Sequence, residues 1–513
     1  MSQGADVSLA TDPGPAPRLG TAHPLRTAEQ WYWLLSAVSL VVAGSVMFGR
    51  YLFWDTFYDL YAGRYIVHHG IPRTNVLTVA SAGARWIDQQ WLAHVLYYGA
   101  WALGGYRLLD ALSAGAITAG FALLTALMLR RGVHPLRAFE WTTAAFAVCF
   151  GSLIIRAESF AYPLFAVTLW LLLEDERSRK FRRQTWITVP VLILWINTHG
   201  SALLGAGIVA GYAAYRLVRA LLERDLRGAG CYVALGLAAG GSLLCTPYGW
   251  AIVGDDLGFL GNPVLARNIV EWAPPRLNSP VTWIFLAMVV ATAVAILVGW
   301  RRGARPDPLL AGLTLMLLGL SVVAVRNQVW FGIGASLLAS DTLARAGSER
   351  ALSVSALASR LVGSVLAVLG LASLFALAVT SDRQFYGEVP VRAVAAAAGV
   401  AARHPAMKIL GDEASGSAML WLHPSLLGRV GFDWRLDQYS ASQLNAYFDF
   451  VLVRGREWQR VMRGYDIIVV SRFKDPRLAA MLTRLAGWRV VYRDPAGLVL
   501  TRRMARSSLA GFR

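Results

Sequence analysis

Long apolar runs separated by short arginine-bearing loops fill the chain between residues 31 and 380. A bilayer core of about 30 Å needs about 20 apolar residues of helix to cross it, and about 11 runs come close to that length. They lie near residues 31–54, 107–129, 139–154, 158–174, 185–198, 200–219, 230–246, 281–300, 308–325, 328–345 and 357–380. The pattern predicts a mainly α protein, a polytopic helical membrane bundle of about 11 spans.

The arginines are concentrated in alternate connections between these runs. They include Arg130, Arg131, Arg137, Arg177, Arg182, Arg183, Arg216, Arg219, Arg301, Arg302, Arg305, Arg345 and Arg360. Because cytoplasmic loops are enriched in arginine and lysine, this side is predicted to be cytoplasmic. We therefore expect a multi-pass protein of the cell membrane with its N-terminus inside and its C-terminus outside.

Three regions depart from the spanning pattern. Residues 1–30 are rich in Pro, Gly, Ala and Thr and are predicted to form a disordered cytoplasmic tail ahead of a transmembrane domain over 31–380. Within a first outer loop at 54–106, the apolar run Trp91–Leu103 is too short to span and is predicted to be an interfacial helix ended by Gly104-Gly105. Residues 381–513 alternate short β-rich runs with helical patterns, which predicts a small extracytoplasmic α/β domain.

Composition narrows the function classes. Hydrophobic residues make up 56% of the 513 and charged ones only 16%, which is not typical of a soluble enzyme. The net charge of +18 comes mainly from residues beside apolar runs, so it indicates orientation and not nucleic-acid binding. The three cysteines have no metal-ligand spacing, and no phosphate-binding loop, serine-hydrolase or zinc-protease motif occurs. No cofactor is expected, and a divalent metal has no support from the sequence.

Two carboxylates follow the first apolar run. Asp55 and Asp59 are four residues apart and would share one face of a helix. A carboxyl beside apolar surface has a raised pKa, which suits a general base at neutral pH. In the alternative interpretation Asp55 caps the helix and Asp59 pairs with Arg64.

Further polar candidates stand between apolar runs on the predicted outer face: Arg156, Glu158, Asn197, His199, Glu271, Arg326 and Asn327. An arginine at a helix mouth can hold a phosphate through two charge-assisted hydrogen bonds. The alternatives are snorkelling to lipid headgroups, an Arg156–Glu158 pair, and a structural role for His199.

Short motifs connect these candidates to a known class. The chain reads DTFYDLYAGRYI from Asp55, then IPRTN, WINTHG, TPYG, EWAPP and VRN, with an Arg107-Leu108 pair opening the second spanning helix. In this order the features resemble the GT-C class of polytopic glycosyltransferases, which includes protein mannosyltransferases and the aminoarabinose transferase of lipid A. The likeness runs from about residue 50 to about residue 500 and is greatest to an uncharacterised bacterial branch.

The resemblance implies a catalytic acidic residue at Asp55, a donor made of a sugar on a polyprenyl phosphate, and an acceptor met outside. Two positions depart from the class pattern: Asp59 replaces a histidine, and Asp88 opens a DQQW stretch where the class has NHEW. We expect Asp55 and Asp59 to be catalytic. We expect the substrate to contact Arg64, Asp88, Arg156, Glu158, His199, Glu271 and Arg326.

The sequence thus favours a membrane glycosyltransferase whose partners are membrane lipid and a polyprenyl-phosphate-linked sugar, with the acceptor open. The alternative is a catalytically inactive relative that binds a lipid-linked glycan or scaffolds an envelope assembly.

Overall fold

The computed structural model describes residues 27–178, 180–347 and 355–503, and most of them are helical. The helices of the first half are α1 (Ala28–Gly49), α2 (Trp54–His69), α3 (Trp91–Arg130), α4 (Pro135–Val148), α5 (Ala161–Glu176), α6 (Thr188–Thr198), α7 (Ala202–Leu222), α8 (Leu226–Ser242), α9 (Ala251–Leu260) and α10 (Pro263–Asn268). Those of the second half are α11 (Pro280–Arg301), α12 (Pro308–Val323), α13 (Gln328–Arg345), α14 (Ala356–Val379), α15 (Asp382–Phe385), α16 (Val391–Arg403), α17 (Glu413–Leu422), α18 (Ala441–Val451) and α19 (Pro476–Leu482).

The fold is a polytopic helical membrane bundle that carries a small C-terminal α/β unit, as the apolar pattern predicts. Each predicted apolar run falls largely on one helix of the set α1, α3 to α8 and α11 to α14. In the described residues, five helices are long and apolar enough to cross a membrane: Ala28–Gly49, Trp91–Arg130, Ala157–Glu176, Pro280–Arg301 and Leu357–Val379. Residues 1–26 of the predicted tail lie outside the described residues. Helix α1 begins at Ala28, and Thr27 is its N-cap.

Helix α3 is broken where the glycine pair predicts. Gly104 and Gly105 have non-helical backbone angles, and Gly105 has φ +64° and ψ −159°. That region of backbone space is close to glycine-only, so the pair separates the Trp91–Leu103 segment from the long helix that follows. Whether this first segment lies along the membrane surface stays a prediction.

The C-terminal unit contains a four-stranded sheet in the order β1-β2-β4-β3. Its strands are β1 (Ile409–Gly411), β2 (Ile467–Ser471), β3 (Trp488–Arg493) and β4 (Gly497–Arg502). β1 and β2 are parallel, whereas β2 with β4 and β3 with β4 are antiparallel. The predicted β-rich runs MKILGD, YDIIVVS, WRVVYRD and GLVLTRR each contain one of these strands. β2 is buried at every position because helices cover both of its faces.

The C-terminal unit rests on the loop that follows α2. The Val79 amide donates to the Val430 carbonyl at 2.8 Å, and Thr78 forms an isolated parallel bridge with Val430. The first outer loop and the C-terminal unit therefore lie on the same side of the bundle.

Candidate functional site

Helix α2 lies between the C-terminal unit and the helical bundle and presents a different face to each. Toward the C-terminal unit, the Trp54 ring lies 5.3 Å from the Trp434 ring, and the Tyr61 hydroxyl donates to Asp433 at 2.8 Å. Toward the bundle, the Thr56 hydroxyl donates to the Ile155 carbonyl at 2.7 Å. Asp55 and Asp59 therefore sit on a helix whose position is fixed from both sides.

Three loops converge beside Asp55. Arg156 precedes α5, Glu271 precedes α11, and Arg326 precedes α13. The Val325 amide donates to the Ala273 carbonyl at 3.1 Å, which joins the second loop to the third. Residues far apart in sequence thus form one polar cluster at this end of the bundle.

Arg156 is the anchor of this cluster. Its Nη1 donates to both Glu271 carboxylate oxygens, at 2.9 and 2.8 Å, and its Nη2 makes a close ion pair with Glu158. Burial raises the pKa of Glu271, but Arg156 and Arg326 outweigh that effect and leave the pKa below its usual value. Two carboxylates thus already pair with the Arg156 guanidinium, and its binding of a phosphate stays a prediction.

Arg326 is in the opposite situation. Its guanidinium lies 4.2 Å from the centre of the Trp272 ring. Within the described parts of the chain it makes no hydrogen bond and no ion pair shorter than 4 Å. A guanidinium stacked on an aromatic ring keeps its in-plane N–H donors free. Arg326 is therefore the arginine of this cluster that can receive an anion.

His199 completes the edge of the cluster. Its Nδ1 lies 2.8 Å from the Ser201 hydroxyl, and burial together with the nearby Arg326 and Arg156 lowers its pKa well below the usual range. A neutral imidazole can accept or donate a hydrogen bond but adds no charge. This geometry fits a polar wall better than a metal ligand, and the described residues hold no group of three or more metal-ligating side chains.

Asp55 is half-buried at the first turn of α2, facing this cluster. Desolvation raises the pKa of its carboxyl to about 7, with Arg156 lowering it and both Glu271 and Asp59 raising it. Arg326 is also within electrostatic reach of Asp55. A half-buried carboxyl with a pKa near neutrality is suited to accept a proton from a hydroxyl.

Asp59, one turn further, is buried and belongs to a different arrangement. Its Oδ1 lies 3.1 Å from Nε2 of His94, whose Nδ1 lies 2.9 Å from Asp88. The structure thus places Asp88 behind a histidine, away from the open cluster. The alternative pairing of Asp59 with Arg64 does not occur.

Arg64 lies outside the cluster. Its Nη1 donates to the Trp421 carbonyl at 3.0 Å and its Nη2 to the Leu420 carbonyl at 2.7 Å, at the C-terminal end of α17. These are carbonyls that a helix end leaves without partners. Arg64 thus joins α2 to the C-terminal unit through these two bonds, and its contact with the substrate stays a prediction.

An apolar groove of about 510 Å³ lies beside the cluster. Its lining residues are Trp91, Leu92, Pro190, Ile193, Leu194, Asn197, Cys245, Thr246 and Pro247. The Trp91 indole donates to Asn197 at 2.7 Å, and Asn197 donates to the Cys245 carbonyl at 2.8 Å, which ties the walls together. Since His199 is two residues beyond Asn197, one end of the groove is near the polar cluster.

Sequence reasoning missed His94 and Trp272. The contacts of His94 with Asp59 and Asp88 form only when α2 packs on α3. The spacing of residues 59, 88 and 94 along the chain matches no motif that would have predicted them. Trp272 follows Glu271 directly in the EWAPP run, so an aromatic ring beside a candidate anion site was a usable signal.

The comparisons with known proteins give a distant likeness. No family model matches the chain, and no curated protein matches it. Among solved structures it is similar to "ArnT from Cupriavidus metallidurans bound to Undecaprenyl phosphate", with a TM-score of 0.49 and 15% identity over 95% of this chain and 100% of that chain. The apo state of the same protein gives a TM-score of 0.39 at 15% identity and the same coverage. Both TM-scores lie below 0.5.

Proposed function

We propose that this chain is a membrane glycosyltransferase that moves a sugar from a polyprenyl-phosphate donor to an acceptor hydroxyl at the outer face of the membrane. One observation carries the proposal: a half-buried carboxyl, Asp55, faces a cluster that contains an unoccupied guanidinium, Arg326. A base for the acceptor and a cation for a phosphate leaving group are what such a transfer needs.

The transfer would run as a displacement at the anomeric carbon. The acceptor oxygen forms a bond to that carbon while Asp55 takes the hydroxyl proton. The bond between the anomeric carbon and the phosphate oxygen breaks, and its electron pair leaves with the polyprenyl phosphate. Negative charge on the phosphate grows during this step, so the Arg326 guanidinium stabilises the transition state more than the bound donor.

The apolar groove supports a donor with a long hydrocarbon chain. It opens between α6, the start of α3 and the loop after α8, and carries exposed apolar surface such as Leu194, which is 46% exposed. An isoprenoid chain in this groove would leave its phosphate near His199 and Arg326. No nucleotide is required for such a donor.

The test is a transfer assay on the purified, reconstituted protein with undecaprenyl-phosphate mannose and undecaprenyl-phosphate glucose, and a lipid extract of the producing cells as acceptor. Asp55→Asn keeps size and hydrogen bonding but removes basicity, so turnover should fall by about 100-fold or more while donor binding survives. Donor binding is read from the rise in melting temperature that a ligand causes.

Arg326→Ala should behave differently in the same assay. Loss of a charge-assisted contact should weaken donor binding by about 10-fold or more as well as slowing turnover. Arg276→Ala, an exposed arginine of the same outer face, and Asp449→Asn, a surface aspartate, are the matched controls and should change neither quantity. Normal turnover of the Asp55→Asn protein would exclude Asp55 as the base. Donor binding without any sugar transfer by the wild-type protein would overturn the proposal in favour of an inactive lipid-glycan-binding protein.

A further inference from the structure

His94 lies wholly buried between two carboxylates. Asp88 Oδ2 is 2.9 Å from its Nδ1, and Asp59 Oδ1 is 3.1 Å from its Nε2. A neutral imidazole has one N–H and one acceptor nitrogen, and an ionised carboxylate can only accept. Both ring nitrogens lie within ion-pair distance of carboxylate oxygens, so the arrangement favours a His94 that carries both protons and is an imidazolium.

The surroundings keep this ring in place. The Tyr58 ring meets it edge-on at 4.5 Å between centres, and the Gln90 amide donates to the other oxygen of Asp88 at 3.3 Å. Gly63 of α2 sits against the His94 backbone so closely that a Cβ there would be 2.1 Å from the His94 carbonyl oxygen. The ring therefore has little freedom to leave Asp59.

We propose that His94 is a positioning residue that acts through Asp59: it keeps Asp59 ionised, and Asp59 in turn makes Asp55 the carboxyl that exchanges protons. The assignment of Asp55 as base rests on the proposed function. The division of charge among the three residues does not, because it follows from the contacts of His94.

The groups that face each carboxyl support this division. Asp59 is faced by His94 and Tyr97 of α3, by Asp88, by Arg156 and by Asp55 of its own helix. Burial is the largest influence on Asp59 and leaves its pKa above the usual value, and His94 is the main influence that opposes this rise. Without His94, little would offset the cost of a buried charge there.

Asp55 feels the charge on Asp59 directly. It is faced by Arg156, which favours its ionised form, and by Glu271 and Asp59, which disfavour it. An ionised neighbour one turn away raises the affinity of Asp55 for a proton. A proton taken up at half-exposed Asp55 can also pass to solvent, whereas one on buried Asp59 cannot.

The experiment labels protonated carboxyls with dicyclohexylcarbodiimide, which reacts with the neutral acid in apolar surroundings. The full-length protein is labelled between pH 5 and pH 9, digested, and the extent at each aspartate is read by mass spectrometry. In the wild type, Asp55 should label with a midpoint near 7, and Asp59 should stay unlabelled at neutral pH.

In His94→Gln we expect the carbodiimide label at neutral pH to shift from Asp55 toward Asp59. Asp59 should become reactive at neutral pH because its cation is gone, and the Asp55 midpoint should fall by about one pH unit because its anionic neighbour is neutralised. His404→Gln, at an exposed histidine, should label as the wild type does. A purely structural role would lower the melting temperature of His94→Gln without exchanging the labelled residue.

Two further variants decide the matter if His94→Gln does not fold. Asp59→Asn should lower the Asp55 midpoint by about one unit, because it removes the charge and keeps the shape. Asp88→Asn removes the carboxylate that most favours the charged form of His94, so the label should shift from Asp55 toward Asp59 in the same direction as in His94→Gln. An unchanged Asp55 midpoint in Asp59→Asn, or labelling of wild-type Asp59 at pH 7, would overturn the proposal. The measurement needs no donor, so a failed transfer assay leaves it intact.

Discussion

At the residue scale, Asp55 and Asp59 show how environment separates two identical side chains one helical turn apart. Asp55 is half-buried and within electrostatic reach of Arg156, whereas Asp59 is 2% exposed and in contact with His94. The first can exchange its proton with a substrate hydroxyl or with water. The second is suited to hold a fixed charge, as expected where two carboxyls are pushed toward different protonation states.

The raised pKa of Asp55 gives the transfer reaction a defined pH dependence. A general base works only when deprotonated, so the rate should be low at pH 5.5, rise tenfold per unit while Asp55 is mostly protonated, and level off above its pKa of about 7. The profile is measured as turnover at saturating donor between pH 5 and pH 9. A flat profile across pH 6–8 would exclude Asp55 as the base.

Whether a site residue could be predicted depends on whether its signal lies in the neighbouring sequence or in contacts that form on folding. Asp55 and Arg326 were reachable because each is a polar residue next to an apolar run, where such residues are costly without a function. The two glutamates that occupy Arg156 come from its own loop and from another loop more than 100 residues away. That competition, like the contact of His94 with Asp59, exists only after folding, so the sequence offered candidates without their pairings.

At the element scale, α2 is the part of the chain on which the site depends. Its 16 residues contact the C-terminal unit through Trp54, Tyr61 and Arg64, and the bundle through Thr56 and Asp59. The spacing of the two aspartates places them on one face of a helix, but α2 shows no apolar stripe from which its two contact faces could be predicted.

Close packing of α2 on α3 predicts a specific sensitivity at Gly63. A methyl group there would meet the His94 carbonyl oxygen at 2.1 Å, and backbone cannot swing aside as a side chain can. Gly63→Ala should cost about 2 kcal/mol or more of stability and separate Asp59 from His94, which thermal unfolding and carbodiimide labelling measure. Gly99→Ala, in the facing helix with open space around it, should be neutral or stabilising.

At the scale of the whole molecule, the fold was predictable further than the site was. Apolar runs and glycine pairs act locally, so the helices, the break in α3 and the four strands followed from short stretches of sequence. The contact between the C-terminal unit and the first outer loop could not be predicted in this way. It is made by residues about 360 apart in the sequence, such as Arg435, which donates to Asn75 at 2.9 Å. Long-range pairings of this kind leave no periodic signal.

Because Arg435 makes this contact between the C-terminal unit and the first outer loop, we expect it to contribute strongly to the free energy of unfolding. It is fully buried, donates to Asp433 at 2.7 Å, and lies 4.4 Å from the centre of the Trp86 ring. Arg435→Met would leave Asp433 buried without its cation, which should cost about 3–5 kcal/mol and lower the melting temperature. Arg460→Met removes an exposed arginine near Glu457 and should cost less than about 1 kcal/mol. An equal loss of stability in the two variants would contradict the stabilising role of the buried Arg435–Asp433 ion pair.

The contact between the two regions also constrains membrane topology. The first outer loop and the C-terminal unit touch, so an even number of crossings must separate them, and the apolar pattern places about ten runs between residues 107 and 380. At the other end of the bundle, Arg131 pairs with Asp341 at 2.6 Å and Arg345 with Asp307 at 3.2 Å, which brings three arginine-bearing loops together.

Because arginine-rich loops remain cytoplasmic, we expect the C-terminal unit to lie outside. Alkaline phosphatase, which folds only outside the cytoplasm, should be active when fused after Arg513, and green fluorescent protein at the same position should not fluoresce after export. Fusions after Arg345 should give the reverse pair of signals, since that residue lies at the arginine-rich end. A fluorescent Arg513 fusion would place Asp55 on the cytoplasmic side as well, because α2 and the C-terminal unit are in contact, and the acceptor would then have to be a cytoplasmic molecule.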